Sequence, residues 1–462
     1  MGLWDGMNDI FVNRTLNLKQ ITHIGFDMDH TLVRYNIEAF ERLAHRLALE
    51  KLVSKFGYPK AVLDLPFELD RVIRGLVIDR KNGNFLKLSV RGAVRLSYHG
   101  TRRIKYKEQT ALYRGTLIDL GDANFHPVDT SFTIAVAMAF AHLVDLKDGA
   151  FQNDLPSYEK MAWDVLDCVD EAHRDGSLKG QVLEQKEQFI LQDPRLAEAL
   201  ERYMRHGKKL FVLTNSDYAY TQPLLDYAIN PFLQEKKHWQ EVFEYVITLA
   251  SKPKFFFERR PFLKVDPLTG AMFNTEDPLK PGVYQGGCAT TFTEDLGLNG
   301  EDILYVGDHI YGDILRLKKD CAWRTAMVIE ELRDEIEKTK MARSVHDRIW
   351  ELMGQKEPLE RQLTSLEDEV WETDGSADSP EILALREKIS IIDRQFRPLI
   401  EEHQQVFNPY WGEVMRIGNE ESYFAGQVER YACVYASTLA DLLAHSPRTY
   451  YRAGRKHMPH EE

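Results

Sequence analysis

The stretch Ile24-Gly25-Phe26-Asp27-Met28-Asp29-His30-Thr31-Leu32-Val33-Arg34-Tyr35 decides how the chain is read. The apolar run Ile21, Ile24 and Phe26 leads into Asp-x-Asp-x-Thr, which predicts a strand delivering two carboxylates into the loop at its end. In open α/β sheets, ligands bind at the carboxyl ends of strands. Two acids two residues apart face the same way only where the chain is extended. At a strand end both can therefore reach one bound group. One can attack as a nucleophile or hold a metal while the other moves a proton. Taken alone, the string also reads as an acidic turn after a strand.

Three further apolar runs end in groups that complement those acids. Phe211-Val212-Leu213 ends in Thr214-Asn215-Ser216-Asp217, whose hydroxyl and amide donors suit phosphate oxygens. Val246-Ile247-Thr248-Leu249 is followed by Ala250-Ser251-Lys252-Pro253, which puts a lysine just past a strand. Ile303-Leu304-Tyr305-Val306 ends in Gly307-Asp308-His309-Ile310-Tyr311-Gly312-Asp313. Each alone reads equally as a helix cap, a surface lysine or a polar turn. Four such ends in the order carboxylates, Thr-Asn, Lys, Asp-Asp are hard to produce by chance.

The set resembles the haloacid dehalogenase superfamily of phosphohydrolases, with Asp27 and Asp29 as its first motif, Thr214 its second, Lys252 its third, and Asp308 with Asp313 its fourth. The strings GFDMDHTL, LTNSDYAYT, ASKPKFFF and YVGDHIYGDIL are similar to those of the cytosolic purine 5′-nucleotidases that prefer inosine and guanosine monophosphates. GLVIDRKNGNFLK, DEAHRDGSLK, QVERYACVYASTLADLL and HMPHE extend the likeness over nearly the whole chain, with Arg343 to Val406 matched least. The resemblance implies an α/β fold: a Rossmann-like core with a parallel sheet and a large α+β cap inserted between the first and second motifs. The expected division is core at 1–38 and 196–335, cap at 39–195, a helical hairpin at 336–406, and a segment at 407–462 packing on the core.

It also implies Mg²⁺-dependent hydrolysis of purine nucleoside 5′-monophosphates (IMP, GMP and deoxy forms preferred) through an aspartyl-phosphate. A phosphomonoester 4 Å from Asp27 is repelled by about 4 kcal/mol per charge pair at an effective dielectric near 20, so cations are needed. Mg²⁺ on Asp27, Asp308 and the main-chain carbonyl of Asp29 would supply two charges and Lys252 a third; hard oxygen ligands suit that ion. Asp29 would protonate the leaving oxygen and then take a proton from water. Thr214, Asn215 and Lys252 would hold phosphoryl oxygens, and Asp313 would orient Lys252 or a metal-bound water.

For the base, Phe132 falls where the family stacks an aromatic, and Asp170, His173 and Lys179 match groups it uses. Asp170 and Arg174, four apart, share a helix face. A carboxylate facing N1–H and a cation near O6 would reject AMP, whose donors and acceptors are reversed. Without the resemblance, this segment reads as a solvated helix end capped at Gly176, and Phe132 as core. Leu166 stands where the family has a base-contacting arginine, which leaves O6 to Arg174 or Lys179. Tyr311 and Asp129 fall where the family has an aromatic and an amide in an effector site, and the acidic Asp129 departs from that pattern. His30 and His309 are expected to pack or support rather than react. A phosphotransferase would use the same aspartyl-phosphate, a broader nucleotidase would ignore the base, and a nucleotide sensor would lack the acids present here.

Composition sets the outer limits. The 462 residues suggest about three domain-sized units. The formal net charge of -13, from 59 Lys plus Arg against 72 Asp plus Glu, argues against a polynucleotide partner. The four cysteines, Cys168, Cys288, Cys321 and Cys433, show no metal or disulfide spacing. The N-terminal MGLWDGMNDI lacks a basic-then-apolar pattern, Gly6 stands where a myristoylation motif wants Ser or Thr, and no apolar run reaches about 18 residues. A cytoplasmic protein without a membrane partner, binding a small purine nucleotide and forming a homo-oligomer (dimer or tetramer), is expected.

The long gap between Asp29 and Thr214 requires an inserted structure. Ala39 to Phe56, Phe132 to Leu146 and Met161 to Ala172 have helical periodicity, Gly75 to Leu88 reads as a hairpin about Asn82-Gly83, and Leu196 to Tyr203 returns to the core. In the C-terminal third, Ile349, Leu352, Leu359, Leu363, Leu366 and Val370, broken only by Lys356, face a second stripe of Ile382, Leu385, Ile389, Ile392, Phe396 and Leu399. This predicts an antiparallel helical hairpin with a coiled-coil seam. The same stripes fit a dimerisation arm or a hairpin packed on its own core.

Overall fold

A computed structural model describes residues 10–275, 278–373, 379–455 and 458–461. Most of the expected polar turn at 372–380 and nearly all of the N-terminal decapeptide lie outside them. The described residues up to Leu332, with those from Ile417 onward, form one compact unit, and Arg333–Arg416 forms a second.

The first unit is organised by a ten-stranded sheet. Its central strand is His23–Phe26, flanked by Ile303–Gly307 on one side and Lys209–Leu213 on the other. Outward from these run Arg324–Val328 and Val434–Ala436 on the first side, and Tyr245–Thr248 and Gly282–Gly286 on the second, all parallel. Antiparallel strands close both edges: Ile10–Val12 on one, Phe262–Val265 and Met272–Asn274 on the other. A parallel sheet is covered on both faces, so its strands are apolar throughout. Leu210, Val212, Leu304 and Val306 enter one core cluster, whereas the alternating Phe211, Leu213, Ile303 and Tyr305 enter another. The chain switches direction beside His23–Phe26, which makes the carboxyl ends of the central strands the place for a ligand.

Between Phe26 and Lys209 lies the inserted structure. Helix Ile37–Phe56 is capped by the Asn36 side chain and ended by Gly57 in the left-handed region. It packs against helices Ile134–Asp148 and Tyr158–Arg174. A five-stranded antiparallel sheet runs in the order Arg102–Arg103, Val94–His99, Asn84–Leu88, Leu76–Asp79, Phe125–Val128. The expected hairpin about Asn82-Gly83 is present, with Asn82 held by Asp79. Helix Pro194–Arg205 leads back to the core. The segment from Asp170 to Lys179 is not one helix. Gly176 (φ 83) separates Tyr158–Arg174 from Ser177–Glu184, so Lys179 belongs to the next helix.

In the second unit, helix Leu332–Glu372 turns back as Pro380–Val406. Glu367 pairs with Arg386, Lys356 with Asp393, and the His346 ring lies 6.1 Å from that of His403, three contacts that advance in antiparallel register. Leu352, Ile382, Leu385 and Ile392 are buried along the seam. Lys356, which breaks the apolar stripe, is accommodated by its 2.8 Å ion pair with Asp393. Among the described residues no helix is long and apolar enough to cross a membrane.

Candidate functional site

Four neighbouring strand ends converge. Asp27 follows the central strand, Asp308 follows Ile303–Gly307, Thr214 follows Lys209–Leu213, and Lys252 lies just beyond Tyr245–Thr248. The Lys252 ammonium uses three donors: Asp27 Oδ1 at 2.8 Å, Asp313 Oδ1 at 2.7 Å and the Tyr305 hydroxyl at 2.9 Å. Asp313 is fixed at its other oxygen by the His309 N–H. That close approach requires Gly307, because a Cβ there would lie 2.4 Å from Asp313 Oδ2. Asn215 clasps the Lys252 main chain from both ends of its amide, accepting from Lys252 N at 2.6 Å and donating to Lys252 O at 3.1 Å. Its side chain thus positions the lysine, a different use from the phosphate donor expected of it. The Asn215 N–H has no protein acceptor among the described residues.

Asp29 is held apart from that cluster. The Tyr35 hydroxyl donates to one carboxylate oxygen at 2.6 Å and the Ser216 hydroxyl to the other at 2.9 Å. Three non-glycine residues beside these groups, His30 (φ 55), Leu249 (φ 44) and Ser251 (φ 59), adopt the left-handed backbone that such residues rarely use. Strain of this kind concentrates where side chains must be aimed.

Ligand atoms of Asp27, Asp308 and Asp313 lie within 4.8 Å of one another. Burial pushes the Asp27 carboxyl well up; Lys252 pulls it down, but Asp313, Asp308 and Asp29 add to the rise. Asp308 is also raised by burial, against the pull of Arg74. The cluster is therefore short of positive charge, and its donors are hard oxygens, the combination a divalent cation satisfies. Asp313 already shares both oxygens with protein donors, which leaves Asp27 and Asp308 as the carboxylates better able to serve as ligands.

The same cavity, of about 690 Å³, extends from these acids to Phe132, Asp170, His173, Arg174 and Lys179. Phe132 sits among aromatic rings, 4.7 Å from His30, 5.4 Å from Phe40 and 5.4 Å from His173 between centroids. Burial holds His173 down to about 4, so it is a neutral ring at pH 7. Lys179 pairs with Asp217 at 2.9 Å and lies 4.7 Å from the Tyr220 ring centroid. Asp170 is exposed and raised by partial desolvation against the pull of Arg174. Arg174 itself is 71% exposed. Leu166 is half-buried and does not line the cavity.

His30 is buried; desolvation pulls it down, but the hydrogen bond and charge of Glu330, with the charges of Asp308 and Asp29, together leave it raised. His309 accepts from Tyr311 N and Gly312 N through Nδ1, so that nitrogen carries no proton for Asp129 at 3.4 Å. Tyr311 accepts from Gln427. Sequence reading passed over Tyr35, Ser216, Tyr305 and Arg74. The first two stand inside quoted motifs, and hydroxyls beside an acid were the available signal. Tyr305 looked like strand core, and nothing in the sequence marks Arg74.

A family model described as the 5′ nucleotidase family matches residues 10–462. A 5′-nucleotidase domain-containing protein of Dictyostelium discoideum is 28% identical over 98% of this chain and 75% of its own length. The 5′-nucleotidase domain-containing protein 2 of Homo sapiens is 27% identical over 98% of this chain and 85% of its own. The solved structure of a predicted phosphoglycolate phosphatase from Haemophilus somnus covers 67% of this chain and 85% of that one, at 16% identity and a TM-score of 0.30.

Proposed function

The chain belongs to the 5′ nucleotidase family, and from that premise we propose that it is a Mg²⁺-dependent hydrolase of purine nucleoside 5′-monophosphates, with IMP, GMP and their deoxy forms preferred. The observation that carries this reading is the single cavity joining Asp27, Thr214, Lys252 and Asp308 to Phe132, Asp170, His173 and Lys179. Its volume lies within the range of small-molecule sites.

Asp27 attacks phosphorus in line, the bond to O5′ breaks, and an aspartyl-phosphate forms. Asp29, aimed by Tyr35 and Ser216, gives its proton to O5′. Asp29 then takes a proton from water, which attacks the acyl-phosphate and restores Asp27. Lys252, already within 2.8 Å of Asp27, meets the charge that develops on the phosphoryl oxygens. Thr214 and the Asn215 N–H supply neutral donors on the other side. Asp27, Asp308 and the main-chain carbonyl of Asp29 would hold Mg²⁺, which when bound offsets the repulsion between phosphate and carboxylates. Phe132 stacks on the base, and Asp170 accepts from the N1–H of a 6-oxopurine, with Lys179 or Arg174 facing O6.

The test is to quench turnover of IMP labelled in its phosphate and map the label by mass spectrometry. Label on Asp27 is expected; a competent reaction with no labelled carboxylate would rule out the covalent route.

A further inference from the structure

We propose that Arg74, contributed by the inserted segment, is a positioning residue for Asp308 and thereby sets the affinity of the core for its divalent cation. The inference rests on the metal-dependent reading above. Arg74 is only 2% exposed, a burial that a guanidinium tolerates only when it is paired. Its Nη2 donates to the main-chain oxygen of Asp308 at 3.2 Å and to Oδ2 of the same residue at 3.1 Å. One nitrogen holding both oxygens fixes the rotamer of that aspartate. It leaves Oδ1 without a protein donor among the described residues.

The arrangement is built from the sheet of the insertion. Arg74 lies two residues before the strand Leu76–Asp79, whose neighbour Phe125–Val128 is followed by Asp129. The Gly75 N–H donates to Val128 O at 2.7 Å and ties the two strand ends together. Gly75 has φ 91, and a Cβ there would lie 2.8 Å from Phe424 Cβ, so the turn that aims Arg74 admits only glycine without displacement. From these paired ends Arg74 reaches Asp308 and Asp129 reaches His309, at 3.4 Å. The insertion therefore holds the loop that carries a metal ligand through Arg74, with Asp129 lying beside the next residue, His309.

Two effects of Arg74 on cation binding oppose each other. A guanidinium near a cation repels it, whereas holding a ligating carboxylate in place strengthens binding. Glu331 lies 3.4 Å from Nη1, and Asp129 and Glu330 are also close enough to act on the guanidinium charge. The positive charge is thus largely neutralised from behind. Loss of a partner that orients a metal ligand typically weakens metal binding about 10- to 100-fold, so orientation decides the sign.

The experiment is a titration of the substrate-free chain with Mn²⁺, following free Mn²⁺ by electron paramagnetic resonance, for the wild type, Asp308→Asn, Arg74→Lys and Arg74→Met. Arg74→Lys keeps the buried charge but loses the planar fork. It should weaken Mn²⁺ binding by about tenfold or more, and Arg74→Met by at least as much where it folds. In turnover, Arg74→Lys should raise the Mg²⁺ concentration for half-activation by the same factor, while kcat returns close to wild type at saturating metal. A purely structural role would lower kcat and leave the metal midpoint unmoved. Unchanged or tighter Mn²⁺ binding in Arg74→Lys, beside its loss in Asp308→Asn, overturns this assignment alone. A wild-type chain that binds no Mn²⁺ overturns the metal reading with it.

Discussion

At the phosphate end of the cavity, Asp27, Asp29, Lys252, Asp308 and Asp313 are each held by side-chain or main-chain partners at 2.6–3.2 Å. At the base end, Asp170 and Arg174 stand exposed, and His173 is fixed by ring packing against Phe132 and Phe40. Groups that stabilise a transition state work best when they need no reorganisation at the moment of reaction. Groups that recognise a base can be ordered by the base itself. Damage at the first end should therefore appear in kcat, and damage at the second in discrimination between nucleotides.

The largest effect should come from Asp27→Asn. Turnover should fall by at least about four orders of magnitude, the scale on which a covalent nucleophile is missed. Trapping of beryllium fluoride should disappear, and nucleotide binding should survive. A deamidation-checked Asp27→Asn protein that still turns over removes the nucleophile from the phosphate end. Next, Lys252→Met should cost about 3–4 kcal/mol in kcat, as the loss of one oxyanion donor does elsewhere. A change confined to KM would make the lysine a binding group only.

At the base end the effects should be smaller and of another kind. Phe132→Ala should weaken every purine nucleotide alike, by about 1–3 kcal/mol if stacking here matches that seen for bases on aromatic side chains. Asp170→Asn should instead shrink the preference for IMP over AMP, because an amide can turn either a donor or an acceptor toward N1. Equal loss for IMP and AMP in Asp170→Asn would reduce that residue to a bystander.

Acid should also separate the regions. Three histidines of the inserted segment, His45, His126 and His173, are held down to about 4, in each case chiefly by burial, against one, His23, on the central strand. The unfolded chain takes up those protons near pH 6.5 while the folded one refuses them. Their contribution is thus complete above about pH 6.5 and is lost as the pH falls toward 4, by at most about 2 kcal/mol each at pH 5. Hydrogen exchange should accelerate in the segment 39–195 between pH 7 and pH 5 more than in the central strands. Unchanged protection there would contradict the neutral-histidine account.

The phosphate end was legible in the sequence because an apolar run ending in a polar group is a local signal, and four of them fell in order. The sheet then needed only to place those strands side by side. What escaped came from elsewhere in the chain. Arg74 reaches Asp308 across the fold, and Tyr35 is aimed at Asp29 by a short pairing of Arg34–Tyr35 with Ile190–Leu191 that no periodicity announces. Asn215 was legible as a polar strand end, but its partner, the Lys252 main chain, was not. At the base end the periodicity of Met161 to Ala172 marked one helix, whereas the left-handed turn at Gly176 starts a second, short one for Lys179. The two stripes of the second unit were readable because each keeps its spacing over many residues, and Lys356 proved compatible with the seam through Asp393.

The central claim is that one cavity couples phosphate chemistry to reading of the base. Phosphate release by the unmodified chain from IMP, GMP, AMP, CMP and UMP, with and without Mg²⁺, tests it most directly. The account predicts Mg²⁺-dependent release with kcat/KM for IMP and GMP roughly tenfold or more above AMP, the scale a mismatched polar contact supplies. Equal turnover of IMP, AMP and CMP would contradict it, leaving a nucleotidase that does not read the base.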